Sequence, residues 1–375
     1  MLKYWKYSAS LLVMISATAS LATDTSLALR DHPFWQFDLE ENRTADVTLA
    51  DVDGDGDLDI LTANGRHWAE QDFVYLNSGD GRMLEANYLG RSKSASYTIQ
   101  AGDLDGNGTI DAVVVRDKLD AAVYLNDGTG QYAFSSVISG SKGNARTAAL
   151  VDTNADNFPD LVIATRRGRD MIYRGNGKGG FDSGTPLPDA GFGSTGLATG
   201  DLDNDGDIDI VIARRDDAES VVMLNQAGNF RPFPLPESKG DHRQAVIAEL
   251  TGDQYPDIVL ADTDGSFLLY HGSASGKFNA PRTFGRAGDL VQALAAIDVD
   301  GDGDLDLFAG CEGRNLILQN DGSGVFARQE IGEEADTYGV AVGDMNGDGL
   351  NDIVVANSGS ANQVFLNQGQ QVPDQ

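Results

Sequence analysis

The 375-residue chain has one cysteine, Cys311, four histidines, ten prolines and only 27 Lys and Arg against 58 Asp and Glu. A single cysteine excludes a disulfide framework and a cysteine-based zinc site. Four histidines at distant positions can hold a metal together only if folding gathers them. A formal net charge of −31 lacks the basic face that phosphate binding needs, which argues against nucleic acid as the main partner. Helical periodicity is absent, and no later stretch reaches the ~20 apolar residues of a membrane span. The hydrophobic share of 41% is enough for a core, so this is not a disordered acidic chain. The excess carboxylate needs its own explanation.

Residues 1–22 read as a signal peptide: Lys3 and Lys6 precede the apolar run Leu11-Leu12-Val13-Met14-Ile15, and Ser20-Leu21-Ala22 offers small residues for cleavage before Thr23. No cysteine stands at the expected cleavage site, which argues against a lipoprotein anchor. The expectation is an exported protein, secreted or periplasmic, with no membrane span after cleavage and a monomeric state.

One pattern recurs seven times: oxygen side chains at positions 1, 3, 5 and 9, usually with Gly at position 6. The copies are Asp51 to Asp59, Asp103 to Asp111, Asp152 to Asp160, Asp201 to Asp209, Glu249 to Asp257, Asp298 to Asp306 and Asp344 to Asp352. Their starts lie 52, 49, 49, 48, 49 and 46 residues apart. A small-residue strand precedes each copy, as in Val47-Thr48-Leu49-Ala50, and a β-branched run follows, as in Ile210-Val211-Ile212-Ala213. A third strand ends in an Asn/Gly turn, for example Leu125 to Gly130, and a fourth begins near Tyr132, Phe181, Phe230, Phe278 or Phe326. Four strands per ~49-residue unit, seven times, predict an all-β fold: a seven-bladed β-propeller of four-stranded antiparallel blades. The last repeat stops after Gln363-Val364-Phe365-Leu366, and an orphan strand at Phe34 to Leu39 is expected to complete it, closing the ring. The domain is placed at residues 31–371.

With motifs such as Gly200-Asp201-Leu202-Asp203-Asn204-Asp205-Gly206-Asp207-Ile208-Asp209 followed by Leu224-Asn225, the sequence resembles FG-GAP/VCBS-type repeat proteins, the propeller family that includes the head of integrin α subunits. The resemblance runs from about residue 32 to 370. It implies the propeller fold and a cation site in each acidic loop, and says little about biological role.

The nine-residue loops suit Ca²⁺, which takes six to eight oxygens and tolerates the wrapped geometry; Mg²⁺ prefers fewer protein ligands. An EF-hand needs a bidentate Glu at position 12 and flanking helices, whereas position 12 of the first loop is Thr62. The expected side-chain ligands are Asp51, Asp53, Asp55 and Asp59; Asp103, Asp105, Asn107 and Asp111; Asp201, Asp203, Asp205 and Asp209; Asp298, Asp300, Asp302 and Asp306; and Asp344, Asn346, Asp348 and Asp352. Position 7 (Asp57, Thr109, Asp207, Asp304, Leu350) would add its carbonyl. The third loop, Asp152, Asn154, Asp156 and Asp160, has Asn157 for Gly, giving weaker binding. The fifth, with Glu249, Thr251, Asp253 and Asp257, has Gln254 there and is expected to hold no strong site. Five to six calcium sites follow. The loops contain 27 of the 58 acidic residues, so metal binding accounts for much of the charge.

If the acidic loops share one face, the second-to-third and blade-to-blade connections share the opposite face, which gathers most of the Lys and Arg. The candidate ligand residues there are Arg66, His67, Trp68, Tyr97, Arg146, His242, Arg243 and Tyr338. Ring-equivalent positions, six before each loop, are Ala45, Tyr97, Arg146, Thr195, Arg243, Gln292 and Tyr338. Basic loops suit an anionic glycan or protein. The leading expectation is a non-enzymatic, calcium-stabilised binding or adhesion module. The alternatives are a polysaccharide lyase on a uronate-containing glycan, with Arg243 neutralising charge and His242, His67, Tyr97 or Tyr338 handling protons, and a purely structural envelope protein. No catalytic nucleophile motif supports an enzyme, and the fold alone does not imply activity.

Overall fold

Short apolar runs bounded by Gly, Asp and Asn give strands throughout, and the one helical element among the described residues is a 3₁₀ turn at Pro33–Trp35. The computed structural model describes residues 27–189 and 192–370; the expected signal peptide lies outside them. No described helix is long and apolar enough to cross a membrane.

Among the described residues, five antiparallel sheets have four strands each and share one plan. In the first, Thr44–Ala50 pairs with Asp59–Asn64, then Phe73–Asn77, then Met83–Tyr88. The plan repeats from inner strands Ser96–Gly102, Ala145–Val151, Ser194–Gly200 and His242–Ala248. Each acidic nonapeptide joins an inner strand to the second strand. The remaining repeats share a seven-stranded sheet. There Asp306–Asn320 and Phe326–Gly343 run unbroken, because Glu312 and Gly313 pair with Asp336 and Ala335, so the connections themselves are laddered.

The outer strand of that sheet is N-terminal but lies upstream of the expected segment. Leu27–Arg30 pairs with Asn362–Gln370, while only Gln36–Phe37 of the Phe34 to Leu39 segment pairs, with Gln363 and Asn362. Pro33 fixes a turn at the start of that segment, and Leu29 packs against the cluster of Ile353, Val355 and Phe365. The folded region therefore begins before residue 31.

Second strands are buried on both faces, as in Asp59–Asn64, Asp160–Thr165 and Asp209–Arg214. Neighbouring sheets cover both sides, which is why these strands read as continuous aliphatic runs. Each buried Val, Leu or Ile contributes about 1.5–3 kcal/mol. Seven apolar clusters occur among the described residues, each shared by two adjacent repeats. One of them unites the chain's extremes: Val47, Ile60, Phe73 and Tyr75 pack with Met345, Val354, Ala356 and Val364. At the same junction a Cβ on Gly339 would lie 2.7 Å from Asp46 Cα, so the last and first inner strands approach as closely as only glycine allows.

Candidate functional site

Within each acidic loop the carboxylates divide the work. Position 9 is buried and staples the loop: Asp59 Oδ2 accepts from Val52 N and Oδ1 from Asn77 N, both at 2.9 Å. Asp111, Asp160, Asp209, Asp257, Asp306 and Asp352 do the same. Burial pushes Asp59, Asp209 and Asp306 up to about 6 and Asp352 up to about 7. Position 1 accepts loop amides, as Asp51 does from Gly54 N at 2.7 Å and Gly56 N at 3.1 Å.

Carboxylate oxygens converge to within 4.8 Å at Asp51, Asp53 and Asp59; at Asp103, Asp105 and Asp111; at Asp201, Asp203 and Asp209; and at Asp298, Asp300 and Asp302. Position-3 carboxyls in three of these loops, Asp53, Asp203 and Asp300, are raised by burial, and their acidic loop neighbours add to the shift. Asp203 Oδ1 is buried with no hydrogen-bond partner among the described residues. Oxygen-only donors, crowded like charges and an orphaned carboxylate oxygen fit a hard cation such as Ca²⁺. Position-7 side chains lie away from these clusters: Asp207 Oδ2 accepts from Ala227 N at 2.8 Å, and Thr109 Oγ1 donates to Asn126 O at 3.2 Å.

The other loops differ in instructive ways. In the seventh, Asn346 donates to Asp348 at 3.0 Å, and in the third, Asn154 donates to Asp156 at 3.0 Å. The third also receives a tethered cation: Arg174 Nη1 lies 2.5 Å from Asp160 Oδ2 and contacts Thr153 Oγ1. Asn157 and Gln254 take φ of 66° and 76° where glycine is usual. Glu249 Oε1 accepts from Thr251, Gly252 and Asp253 amides.

The asparagine ending the third strand ties neighbouring repeats together. Asn126 Nδ2 donates to Ile110 O in its own loop and to Val52 O in the preceding one. Asn225, Asn320 and Asn367 repeat this bridge. Gly175 and Gly272 stand at the equivalent position in the third and fifth repeats, the two whose acidic loops also lack glycine at position 6.

The inner strands surround a cavity of about 580 Å³. All seven ring-equivalent positions line it: Ala45, Tyr97, Arg146, Thr195, Arg243, Gln292 and Tyr338. Arg66, His67, Arg166 and Arg215, which follow second strands, line it as well. These residues lie at the strand ends away from the acidic loops. Among the described residues the wall thus carries five arginines and one carboxylate, Asp46, which accepts from Thr98 Oγ1 at 2.5 Å and Ile99 N at 3.2 Å.

One edge of the mouth is a polar chain. Tyr97 Oη lies 2.8 Å from His67 Nε2, and His67 Nδ1 lies 3.2 Å from Asp117 Oδ2. Asp117 Oδ1 accepts from Arg146 Nη1 at 3.2 Å, and the Arg146 guanidinium stacks 4.3 Å over Tyr97. Burial opposes ionisation of Asp117, but its bonds to His67 and Arg146 hold it below the usual carboxylate range. Such a chain can orient an imidazole and pass a proton to or from the tyrosine hydroxyl.

Two expected ligand residues lie elsewhere. His242 is buried, 3.6 Å from Asp262, with neither ring nitrogen hydrogen-bonded, and burial lowers its pKa. Adjacent strand residues face opposite ways, so placing Arg243 in the cavity turns His242 away. Trp68 is 55% exposed and lies outside the cavity wall, stacked 4.6 Å under Arg43. Counting cations on this face also overstates free charge, since Arg43 pairs with Glu70, Arg166 with Asp216 and Arg215 with Asp241. Asp117 has no motif of its own in the sequence; only the repeat register, which sets it after the second strand beside His67 and Arg146, points to it.

The family model for FG-GAP-like repeats matches residues 51–114, 152–212, 250–309 and 298–355, more than half of the chain. The chain belongs to the FG-GAP-like repeat family. No curated protein matches it. Among solved structures, this FG-GAP-like protein is similar to the BP39L lectin from Burkholderia pseudomallei, with TM-score 0.70 and 15% identity over 88% of this chain and 98% of that one. It is similar to a lectin of Agrocybe aegerita described for specific recognition of non-reducing terminal N-acetylglucosamine, with TM-score 0.56 and 20% identity over 85% and 86%. BBS1N, solved in complex with ARL6DN, matches with TM-score 0.63 and 12% identity over 92% and 99%. At these identities the likeness concerns the fold.

Proposed function

We propose that the protein is an exported, calcium-binding, seven-bladed β-propeller that serves as a non-enzymatic binding module for a glycan, held at the basic mouth of the central cavity. Seven loop repeats, seven inter-repeat clusters and the pairing of Leu27–Arg30 with Asn362–Gln370 support the closed ring. The carboxylate clusters support calcium, and the amino-terminal sequence supports export. The observation that carries the reading is the cavity wall of a chain of net charge −31: among the described residues it gathers five arginines, and two of them, Arg66 and Arg243, have no carboxylate partner. Positive charge concentrated in one concavity of an acidic protein selects an anionic ligand and steers it there. Two of the three structures of similar fold are lectins, which supports a glycan ligand, while BBS1N in complex with ARL6DN makes a protein partner the alternative to test.

A glycan array probed with and without calcium tests this. Binding to uronate- or sulfate-bearing glycans supports it; a blank array together with capture of an acidic protein would transfer the role to a protein partner.

A second reading is lyase activity at the same mouth, favoured by the Tyr97–His67–Asp117 chain beside the arginines. An arginine would stabilise the enolate formed when a base removes the proton α to the uronate carboxylate, and the chain would supply base and acid.

A further inference from the structure

The five arginines of the mouth are not equivalent. Arg146, Arg166 and Arg215 are each paired, with Asp117 at 3.2 Å, Asp216 at 2.8 Å and Asp241 at 2.6 Å. Arg66 and Arg243 have no carboxylate partner among the described residues. Their guanidinium carbons lie 3.5 and 5.7 Å from the centroid of the Tyr338 ring, so two uncompensated cations converge on one phenol. The Tyr338 hydroxyl turns outward to the exposed Glu312, at 2.5 Å. Burial and then repulsion from Arg215 and Arg66 press the Arg243 guanidinium down to about 10. Between Arg243 and Tyr338 in ring order stands Gln292, 5% exposed, in the cavity wall, with no hydrogen-bond partner for Oε1 among the described residues. An unsatisfied buried acceptor is costly. Cations without anions and an acceptor without a donor define, by complement, what is missing.

We propose that Arg66, Arg243 and Gln292 form a subsite for one acidic monosaccharide unit, whose carboxylate or sulfate lies between the two guanidiniums while a ring hydroxyl donates to Gln292 Oε1. This rests on the glycan reading above and narrows it. A neutral sugar would satisfy Gln292 and leave both guanidiniums uncompensated. A bare anion would do the reverse.

The test is calorimetric titration of the full protein in calcium with D-galacturonate, inorganic sulfate and D-galactose. Galacturonate should bind, sulfate more weakly, and galactose not measurably. R66Q and R243Q should each weaken galacturonate by about tenfold or more, since each removes a charge-assisted contact. R243K should recover part of the loss, and Q292A should weaken galacturonate while leaving sulfate unchanged. R286Q, at an arginine that pairs with Asp289 at 3.1 Å and lies outside the cavity wall, should stay within about twofold of the parent. R66Q acts at a side chain lying on the tyrosine face at the cavity mouth, so it keeps the test valid if R243Q misfolds. Unchanged binding in R66Q, or an equal loss in R286Q, overturns the subsite; indifference of galacturonate to Q292A overturns its sugar specificity. Array binding that R66Q and R243Q leave intact would sink the subsite and spare the glycan reading. Galacturonate binding without any polymer hit would do the opposite.

Discussion

The Asn77 side-chain amide donates to the Met345 carbonyl at 2.8 Å, joining residues 268 positions apart. It is the same bridge that Asn126 makes to Val52 within the body of the chain, here made between the first repeat and the last. The ends are therefore held by a device that the repeat already uses internally, added to strand pairing and a shared apolar cluster.

Asn77→Ala should destabilise the fold by about 1–3 kcal/mol, the cost of leaving buried carbonyls unpaired. Asn126→Ala should cost about as much. Urea unfolding of both variants checks this: a negligible effect at Asn77 beside a normal effect at Asn126 would mean that the terminal junction opens freely.

Calcium removal should lower the melting temperature by several degrees, because an ion that binds only the folded state stabilises it by mass action. Native mass spectrometry should count at least four ions, one for each carboxylate cluster, and D203N should remove one. An identical melt in calcium and in chelator would refute loop occupancy.

A buried carboxylate away from the loops gives a pH test. Asp72 accepts from Asn64 N and Ser96 Oγ, both at 2.7 Å, yet burial pushes it up to about 7 from an ordinary 3.8. Between those values the folded state holds a proton that the unfolded chain releases. Its contribution to stability is thus full below about pH 4 and is lost as pH rises toward 7. D72N should reduce that slope relative to the parent in chemical denaturation from pH 4 to 8. Parallel profiles would contradict the assignment.

Incubation with polygalacturonate separates the two functional readings. Under the binding reading, no unsaturated product absorbance develops. If it does develop and H67A abolishes it while binding survives, the mouth is a lyase site and the Tyr97–His67–Asp117 chain carries the proton transfers.

Much of this was legible because the repeat is local. Asp and Gly at fixed offsets specify a loop without reference to tertiary partners, and a constant register places Arg146, Arg243 and Tyr338 in one cavity wall. What escaped the sequence depends on direction or on distant chain. His242 sits beside Arg243 in sequence but on the opposite strand face. Trp68 is taken up by Arg43 rather than the cavity. Arg174 enters the third loop from a neighbouring strand, where other repeats such as the second and fourth carry Leu125 and Leu224. The aromatic run at Phe34 drew the closing strand too far downstream, because nothing local shows that Leu29 has an apolar cluster to pack on. The pairing state of each arginine, which separates Arg66 and Arg243 from the rest, is set by carboxylates 26 to 50 residues away.

The most direct test of the account is hydrogen exchange on the calcium-loaded protein with and without an acidic oligosaccharide. Protection should concentrate at residues 65–67 and in the inner strands around Tyr97, Arg146, Arg243, Gln292 and Tyr338. Protection confined to the acidic loops or to the outer strands, with the mouth unchanged, would contradict it.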